Sequence, residues 1–265
     1  MLKAENINFS IGKKKILSNI NLTFQPGEFN MILGPNGSGK SSFLKICCGE
    51  ISHFEGGILY DDKNIRKIKK EELAKNRAVM SQLPELNFPL LVDEVVMMGR
   101  YPHFAFNPNK KDQAICDEVI EKMNLQAFKN RNYLTLSGGE KQRVQYARVL
   151  AQVWEKPVTG YRYLFLDEPL TSLDINYQQE FLQLASEFAR DNTLLVAVMH
   201  DINLAIQYAD KLFFLKEGKV VAYGQPNEIV NEALIRNVYD VKASIIVNPV
   251  SNNPLVIYDR ILESS

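Results

Sequence analysis

Residues 34 to 41 read Gly34-Pro35-Asn36-Gly37-Ser38-Gly39-Lys40-Ser41, with two glycines separated by four residues and followed by lysine and serine. This spacing is the P-loop pattern. The stretch follows the apolar run Phe29 to Leu33 and opens a helical run, Ser41 to Cys48, that Gly49 can cap. Backbone N–H groups and a helix N-terminus then point at one spot, as phosphate binding requires. The alternative, a glycine-rich turn without a ligand, is much the weaker interpretation.

The residue types in this stretch predict a nucleotide site. The glycines permit close approach of the backbone, Lys40 would neutralise charge on the β- and γ-phosphates, and the Ser41 hydroxyl would ligate Mg²⁺. ATP and Mg²⁺ are therefore the expected ligands. The predicted binding residues of the loop are Gly34, Pro35, Asn36, Gly37, Ser38, Gly39, Lys40, Ser41 and Ser42.

A second signal lies in Tyr163-Leu164-Phe165-Leu166-Asp167-Glu168, an apolar run that ends in two acids. A buried strand of this kind places the acids at its carboxyl end, the edge where the P-loop also lies and where open α/β sheets bind ligands. Asp167 is predicted to hold Mg²⁺ through water, and Glu168 to be the general base that polarises the attacking water. The alternative is a pair of solvent-exposed acids, and the neighbouring P-loop makes it weaker.

Short apolar runs without a polar face recur along the chain and predict central strands of a parallel sheet covered on both sides. They alternate with helical patterns such as Tyr177 to Ala189, so the expected fold class is α/β. Lys216 to Lys219 predicts a turn between two antiparallel strands. The apolar runs are Phe29 to Leu33, Tyr163 to Leu166, Leu194 to Met199 and Leu212 to Leu215.

The length of 265 residues predicts one domain with an inserted lobe. The middle of the chain contains no comparable strand run, and Ile115, Val119 and Met123 recur there at helical spacing. We therefore expect a helical subdomain inserted into a core that also carries a β subdomain. The expected bounds are about 84–157 for the helical subdomain, and about 1–83 and 158–265 for the rest.

Composition excludes several classes of protein. Lysine plus arginine number 31 and aspartate plus glutamate 31, so the formal net charge is zero and nucleic acid is not an expected partner. The longest wholly apolar stretch, Leu194 to Met199, is about a third of the length that crosses a bilayer, and Met1 to Ser10 has no apolar signal core. We therefore expect the chain to stay in the cytoplasm. Three cysteines without metal-ligand spacing are expected to be reduced core residues: Cys47, Cys48 and Cys116.

Leu136-Ser137-Gly138-Gly139-Glu140 forms a helix start in which Ser137 is the N-cap and Glu140 completes a capping box. The glycines leave backbone N–H groups open to an anion. The simpler interpretation is that this stretch only caps the helix that runs to Val153, and it holds beside the functional one. P-loop proteins in general lack this pentapeptide. With it the chain resembles the ATP-binding-cassette ATPases, whose signature it is.

The resemblance extends over nearly the whole chain, with further motifs in the expected order. Gln82 resembles the family's Q-loop glutamine, which senses Mg²⁺ and the attacking water and so counts as both a catalytic residue and a metal ligand. Ser172-Leu173-Asp174 resembles the D-loop that touches the opposite subunit, and His200 resembles the switch histidine that contacts the γ-phosphate. The implied fold is a P-loop (RecA-like) core with a mostly parallel sheet, an antiparallel β subdomain and an inserted helical subdomain that carries the signature motif.

The resemblance also implies partners. The signature helix of such proteins lies far from its own P-loop, so two identical chains face each other head to tail and share each ATP between them. Transmembrane permease subunits and, indirectly, a substrate-binding protein are the other implied partners, which puts the chain at the cytoplasmic face of the membrane as a peripheral subunit. The residues thereby expected beside the partner's nucleotide are Ser137, Gly138, Gly139, Glu140 and Asp174.

One position departs from the family pattern. The family usually stacks the adenine on an aromatic residue just before the glycine of the first hairpin, and Ile11 stands there, before Gly12. Apolar packing of Ile11 on the base is the expectation in its place.

The transported substrate is suggested by two further stretches. Met98-Gly99-Arg100-Tyr101-Pro102-His103 and Met199 to Ala205 resemble ATPases of importers for iron chelates, haem and cobalamin. The residues Glu155 to Arg162, which follow the helix ending near Trp154, resemble the longer link of the haem importers. A neutral surface loop is the alternative interpretation of that link. Haem is the expected substrate, with a ferric siderophore or cobalamin as the alternative.

Rival classes within the superfamily lack support in the sequence. A DNA-repair or chromosome-organising ATPase would need a coiled coil or zinc module between the nucleotide motifs, and a translation-type protein would carry two P-loops. An ATP-gated clamp without hydrolysis would be expected to lack a base at Glu168.

Overall fold

The computed structural model describes residues 1–81, 86, 88–158, 160–171 and 173–259. In that part of the chain a six-stranded sheet forms the centre. Strand β3 (Phe29–Leu33) lies between β8 (Thr193–Val198) and β9 (Lys211–Lys216), and both pair with it in parallel. Across the sheet, β8 is followed by β7 (Arg162–Asp167) and β6 (Arg77–Met80), also parallel. The strands predicted from the four apolar runs are confirmed.

Every residue of β3, β7 and β8 is buried, as expected for strands covered on both faces. At the other edge, β10 (Lys219–Gly224) pairs antiparallel with β9 through the turn at Glu217 and Gly218, as predicted. The sheet is therefore mostly parallel with one antiparallel edge strand.

A second, antiparallel sheet contains the N-terminal strands. Its order is β2 (Lys14–Phe24), β1 (Leu2–Ile11), β4 (Glu55–Tyr60) and β5 (Lys63–Asn64). The pairing of β1 with β2 shifts register three times. This is the antiparallel β subdomain that the family resemblance implies.

Nine α-helices are found within the described residues. Residues between β6 and β7 contain α3 (Val92–Met97), α4 (Lys110–Lys122) and α5 (Gly138–Gln152). Among the described residues of this segment, the one isolated β-bridge joins Leu91 to Asn132. This helical segment agrees with the predicted lobe, although its division from the rest stays a prediction. The helices are α1 (Lys40–Cys47), α2 (Lys70–Asn76), α3 (Val92–Met97), α4 (Lys110–Lys122), α5 (Gly138–Gln152), α6 (Ile175–Arg190), α7 (Ile202–Tyr208), α8 (Pro226–Ile229) and α9 (Glu232–Tyr239).

Two hydrophobic clusters lie on opposite faces of the central sheet. Met31 and Leu33 of β3 belong to the cluster that includes α4, α5 and α6, whereas Ile32 belongs to the cluster that includes α1 and the antiparallel sheet. The period of two along β3 produces this division. The three cysteines are buried and free of disulfides, and burial raises the pKa of the Cys48 and Cys116 thiols to about 12.

The C-terminal part folds into a hairpin of β11 (Ala243–Val247) and β12 (Pro254–Tyr258), which the sequence patterns did not predict. Asn203 of α7 holds it, because its amide donates to the Val256 carbonyl at 3.1 Å and accepts from the Val256 N–H at 2.9 Å. In the part of the chain that is described, no helix is both long and apolar enough to cross a membrane.

Candidate functional site

The phosphate-binding loop begins where β3 ends. Gly34 has a φ of 148°, and a Cβ atom at this position would lie 2.0 Å from the Leu215 carbonyl oxygen of β9. Gly39, with a φ of 103°, is the N-cap of α1, and a Cβ there would lie 2.8 Å from the Leu17 side chain. Backbone conformation therefore favours glycine at both ends of the loop, and at Gly34 the lack of space for a side chain requires it as well.

Lys40 lies across the inside of this loop. Its ammonium donates to the carbonyl oxygens of Gly34 at 2.8 Å and Pro35 at 3.1 Å, and the residue is only 5% exposed. Burial lowers the pKa of Lys40, and the charges of Glu168 and Asp167 oppose that shift. The loop thus fixes one positive charge beside its own backbone.

The start of α1 offers further anion-binding groups. Among the residues that the structure describes, no side chain caps this end, and no acidic residue occupies its first turn. Ser38 is buried, and its hydroxyl has no hydrogen-bond partner among the described residues. Unsatisfied N–H groups, the positive end of the helix and Lys40 together suit a phosphate group. Asn36 and Gly37 are exposed at the tip, and Ser42 is half-buried in the first turn.

Ser41 and Asp167 come together from different elements. Ser41 lies in the first turn of α1 and Asp167 ends β7, and the Ser41 hydroxyl donates to Asp167 Oδ1 at 2.9 Å. Burial raises the pKa of Asp167, and the hydrogen bond from Ser41 and the charge of Lys45 oppose the shift.

A hydroxyl and one carboxylate are oxygen ligands of the kind that Mg²⁺ takes together with phosphates and water. The described residues contain no cluster of three or more His, Cys, Asp or Glu side chains that could hold a metal alone. The pair therefore fits a magnesium ion that nucleotide phosphates complete.

Glu168 and His200 form the next pair along the same edge. Their strands β7 and β8 are neighbours, and His200 Nε2 lies 2.8 Å from Glu168 Oε1. Glu168 has a φ of 51°, in the left-handed region that L-residues avoid, and its N–H donates to the Val198 carbonyl at 3.2 Å. Both side chains line a cavity of about 220 Å³ that also contacts Thr171 and Gln178.

The signature residues lie elsewhere, at the start of α5. Ser137 and Glu140 form the predicted capping box: Glu140 Oε2 accepts from the Ser137 N–H at 2.7 Å, and Ser137 Oγ accepts from the Glu140 N–H at 3.3 Å. The first of these bonds lowers the pKa of Glu140. Ser137 and Gly138 are exposed, with Gly139 beside them. Within the described residues, residues 137–140 make no hydrogen bond to the P-loop, Glu168 or His200.

The remaining predicted site residues are separate from these groups. Asp174 is exposed and is the N-cap of α6, where its carboxylate accepts from the Tyr177 N–H at 3.1 Å. Ile11 is 62% exposed at the turn between β1 and β2. The predictions for Gln82 and Ser172 fall outside the described residues.

The stretch from Met98 to His103 packs in the helical segment. Arg100, 1% exposed, pairs with Asp112 at 3.1 Å and Glu155 at 2.5 Å. His103 Nε2 lies 2.8 Å from the Gln152 carbonyl, and burial lowers the pKa of His103. These contacts join the ends of α4 and α5 and leave neither side chain at the nucleotide loop.

Two polar residues close to the predicted base were not indicated by any sequence pattern. Gln142 and Tyr146 of α5 both donate hydrogen bonds to the carbonyl oxygen of Pro169, the residue after Glu168. The sequence shows that the two residues are four apart on one helix, but their common acceptor, the Pro169 carbonyl, belongs to another part of the chain.

Comparison with known proteins gives one consistent result. A family profile described as ABC transporter matches residues 17–171. The hemin import ATP-binding protein HmuV of Escherichia coli O157:H7 is 38% identical over 98% of this chain and 100% of its own length. The protein of the same name from Gloeobacter violaceus is 41% identical over 97% of this chain and 94% of its own. The dimeric structure of MJ0796, a bacterial ABC transporter cassette, superposes with a TM-score of 0.70 and 28% identity, covering 85% of this chain and 98% of the other.

Proposed function

The chain belongs to the ABC transporter family as an ATP-hydrolysing subunit, and from this we propose that it drives the import of hemin. One observation carries the proposal: relatives that match almost the whole chain are named hemin import ATP-binding proteins. Two stretches support hemin import because they resemble the haem-importer branch of the family. They are the stretch that contains the packed Arg100 and His103, and the link from Trp154 to Arg162.

The geometry supports separate roles for the groups that bind phosphate and for the residues that would bind Mg²⁺. The N–H groups of the loop and of the start of α1, together with Lys40, bind the phosphates and stabilise negative charge that develops during transfer. Ser41 and Asp167 would hold Mg²⁺, with Gln82 as a further proposed ligand. When bound, Mg²⁺ supplies a positive charge that offsets the phosphate oxygens.

Glu168 is the proposed general base. Its carboxylate accepts the proton of the attacking water. His200, whose Nε2 lies 2.8 Å from Glu168 Oε1, orients this carboxylate and contacts the γ-phosphate. The left-handed conformation of Glu168 directs the carboxylate away from the strand toward the cavity it shares with His200. Gln82 is a third proposed catalytic residue.

The working unit is proposed to be a homodimer. The exposed, open start of α5 has no role at its own P-loop, so Ser137, Gly138 and Gly139 are proposed to bind the nucleotide of a second copy, with Glu140 holding the turn and Asp174 near the contact. The dimeric structure of MJ0796, a bacterial ABC transporter cassette, supports a dimer. Permease subunits and, through them, a substrate-binding protein complete the transporter at the cytoplasmic face of the membrane.

The test is reconstitution with the membrane and substrate-binding partners. Hemin-loaded binding protein should stimulate ATP hydrolysis several-fold over the unloaded protein. Stimulation by a binding protein loaded with a ferric siderophore or cobalamin, and none by hemin, would assign that compound as the substrate. The assignment of the chain as an ATPase would stand.

A further inference from the structure

The carbonyl oxygen of Pro169 receives two hydrogen bonds from the helix that begins with the signature pentapeptide. Gln142 Nε2 and the Tyr146 hydroxyl are the donors. Both side chains are buried, with exposures of 2% and 1%. They are four residues apart and lie on one face of α5, so they reach the same acceptor. Two side-chain donors on one buried carbonyl fix the position of that peptide relative to the helix.

This carbonyl follows the proposed base directly. Glu168 is held in a left-handed conformation, which a glutamate keeps only where surrounding contacts impose it. Its N–H is bound by Val198, and its carbonyl accepts from Thr171 Oγ1 at 3.2 Å. Pro169 has no N–H to donate, so its carbonyl is the next main-chain group through which the conformation of Glu168 can be controlled.

Helix α5 also contacts the far side of the same loop. Arg143 lies over the ring of Tyr177, 4.1 Å from its centroid, and the N–H of Tyr177 binds Asp174. Tyr146 stacks on Phe181 of α6 with centroids 3.9 Å apart. The helix therefore contacts the chain both immediately after Glu168 and at the start of α6.

The other end of α5 is the exposed anion-binding turn. Ser137 precedes Gln142 by five residues, and the intervening backbone is continuous helix. Because a helix of 15 residues moves largely as one body, a displacement at Ser137 also displaces Gln142 and Tyr146.

We propose that Gln142 and Tyr146 are positioning residues through which nucleotide at the signature end of α5 sets the conformation of Glu168 in the same chain. This rests on the proposed function, in which the signature of one chain binds the nucleotide held by its partner. Glu168 then reaches its hydrolytic position only when the signature turn of its own chain is occupied.

The test compares two buried tyrosine hydroxyls that each donate to a main-chain carbonyl. Tyr146→Phe removes a donor to Pro169 and keeps the ring stacked on Phe181. Tyr60→Phe is the matched control, because the Tyr60 hydroxyl donates to the Cys47 carbonyl at 2.8 Å, away from Glu168. Gln142→Met is a second variant, which removes the other donor and keeps side-chain volume.

Steady-state ATP hydrolysis by the purified full-length chain is measured against ATP concentration, below the melting temperature of every variant. Tyr146→Phe and Gln142→Met should each lower kcat about tenfold, the rate equivalent of one weakened interaction in the transition state, with KM within twofold of the parent. The Hill coefficient should fall from above one to about one. Tyr60→Phe should keep the parental kcat and Hill coefficient.

If Gln142 and Tyr146 only stabilised the fold, their variants would have a lower melting temperature with unchanged kcat and Hill coefficient. If both α5 variants keep the parental kcat and Hill coefficient, or lower them no more than Tyr60→Phe, the inference is wrong and the proposed function stands. A parent chain that does not hydrolyse ATP would overturn the proposed function and this inference with it.

Discussion

Lys40 is a buried ammonium whose hydrogen-bond partners are the carbonyls of its own loop. A phosphate group would exchange these neutral acceptors for charged oxygens. Lys40→Ala should weaken ATP binding by about 10- to 100-fold, the usual effect of losing a charged hydrogen bond. Fluorescence titration with a nucleotide analogue measures it, and Lys67→Ala, an exposed lysine away from the loop, is the control. Affinity within a few-fold of the parent would contradict the assignment of the loop.

Ile11 is the residue through which base selection can be tested. Its exposed side chain can pack on a purine ring, but it offers neither aromatic stacking nor a hydrogen bond to the base edge. We expect discrimination between ATP and GTP of less than about tenfold, since apolar contact does not distinguish the two edges. Competition binding measures the ratio, with Ile11→Tyr as the comparison. A strong preference for ATP in the parent would show that another residue contacts the base edge.

Asn203 connects two elements, α7 and the hairpin of β11 with β12, by acting as both donor and acceptor toward Val256. Asn203→Ala should lower the free energy of local opening of this hairpin by about 1–3 kcal/mol. Amide hydrogen exchange of residues 243–258 should then speed up. Asn237→Ala on α9, whose side chain makes no hydrogen bond among the described residues, should leave exchange unchanged, and equal rates in both variants would exclude the proposed role of Asn203.

Elements with a strong pattern were predicted correctly from the sequence. The strands of the central sheet are mostly apolar runs because both faces are buried, and the P-loop and Glu168 were placed together because both follow the carboxyl ends of parallel strands. Strands β1 and β2 gave no such pattern. Asn6 and Asn19 interrupt them with positive φ angles, and the register shifts that follow break the alternation of apolar side chains.

Contacts between distant parts of the chain were the least predictable feature of the site. Tyr146 and Pro169 are joined by the packing of α5 against the loop after β7, and no periodicity in either segment indicates it. The sequence predicted Ser41 and Asp167 as ligands of one metal ion, but it did not predict the hydrogen bond between them. Local patterns therefore predicted which residues bear the chemistry, whereas the side chains that hold them required the three-dimensional arrangement.

The assembly of two chains gives the most direct test of the whole molecule. Glu168→Gln keeps size and hydrogen bonding but removes the base, so ATP should bind while hydrolysis slows by about 10²- to 10⁴-fold. Because each nucleotide is proposed to bridge two chains, this variant should be a dimer with ATP and a monomer with ADP. The parent should be dimeric only transiently. Size-exclusion chromatography with light scattering measures the mass.

Adding Ser137→Arg to the Glu168→Gln chain is the matched control. A bulky cation at the start of α5 blocks the turn that the proposal assigns to the partner's nucleotide, so the dimer should be lost while each P-loop still binds ATP. A Glu168→Gln chain that stays monomeric at saturating ATP, or hydrolyses it at the parental rate, would show that Glu168 is not the base.

The order of the central sheet has a consequence for biosynthesis. Strand β3 is wholly buried, and both of its neighbours come late in the chain: Phe29 pairs with Leu195, and Asn30 with Lys211. At the usual ribosomal rate of about 5–20 residues per second, β3 waits on the order of ten to thirty seconds for its first partner. During that time both edges of β3 lack the strands that pair with them. The nascent chain is therefore prone to aggregate through β3 until β8 is made, after Lys40 and Glu168 have already been synthesised.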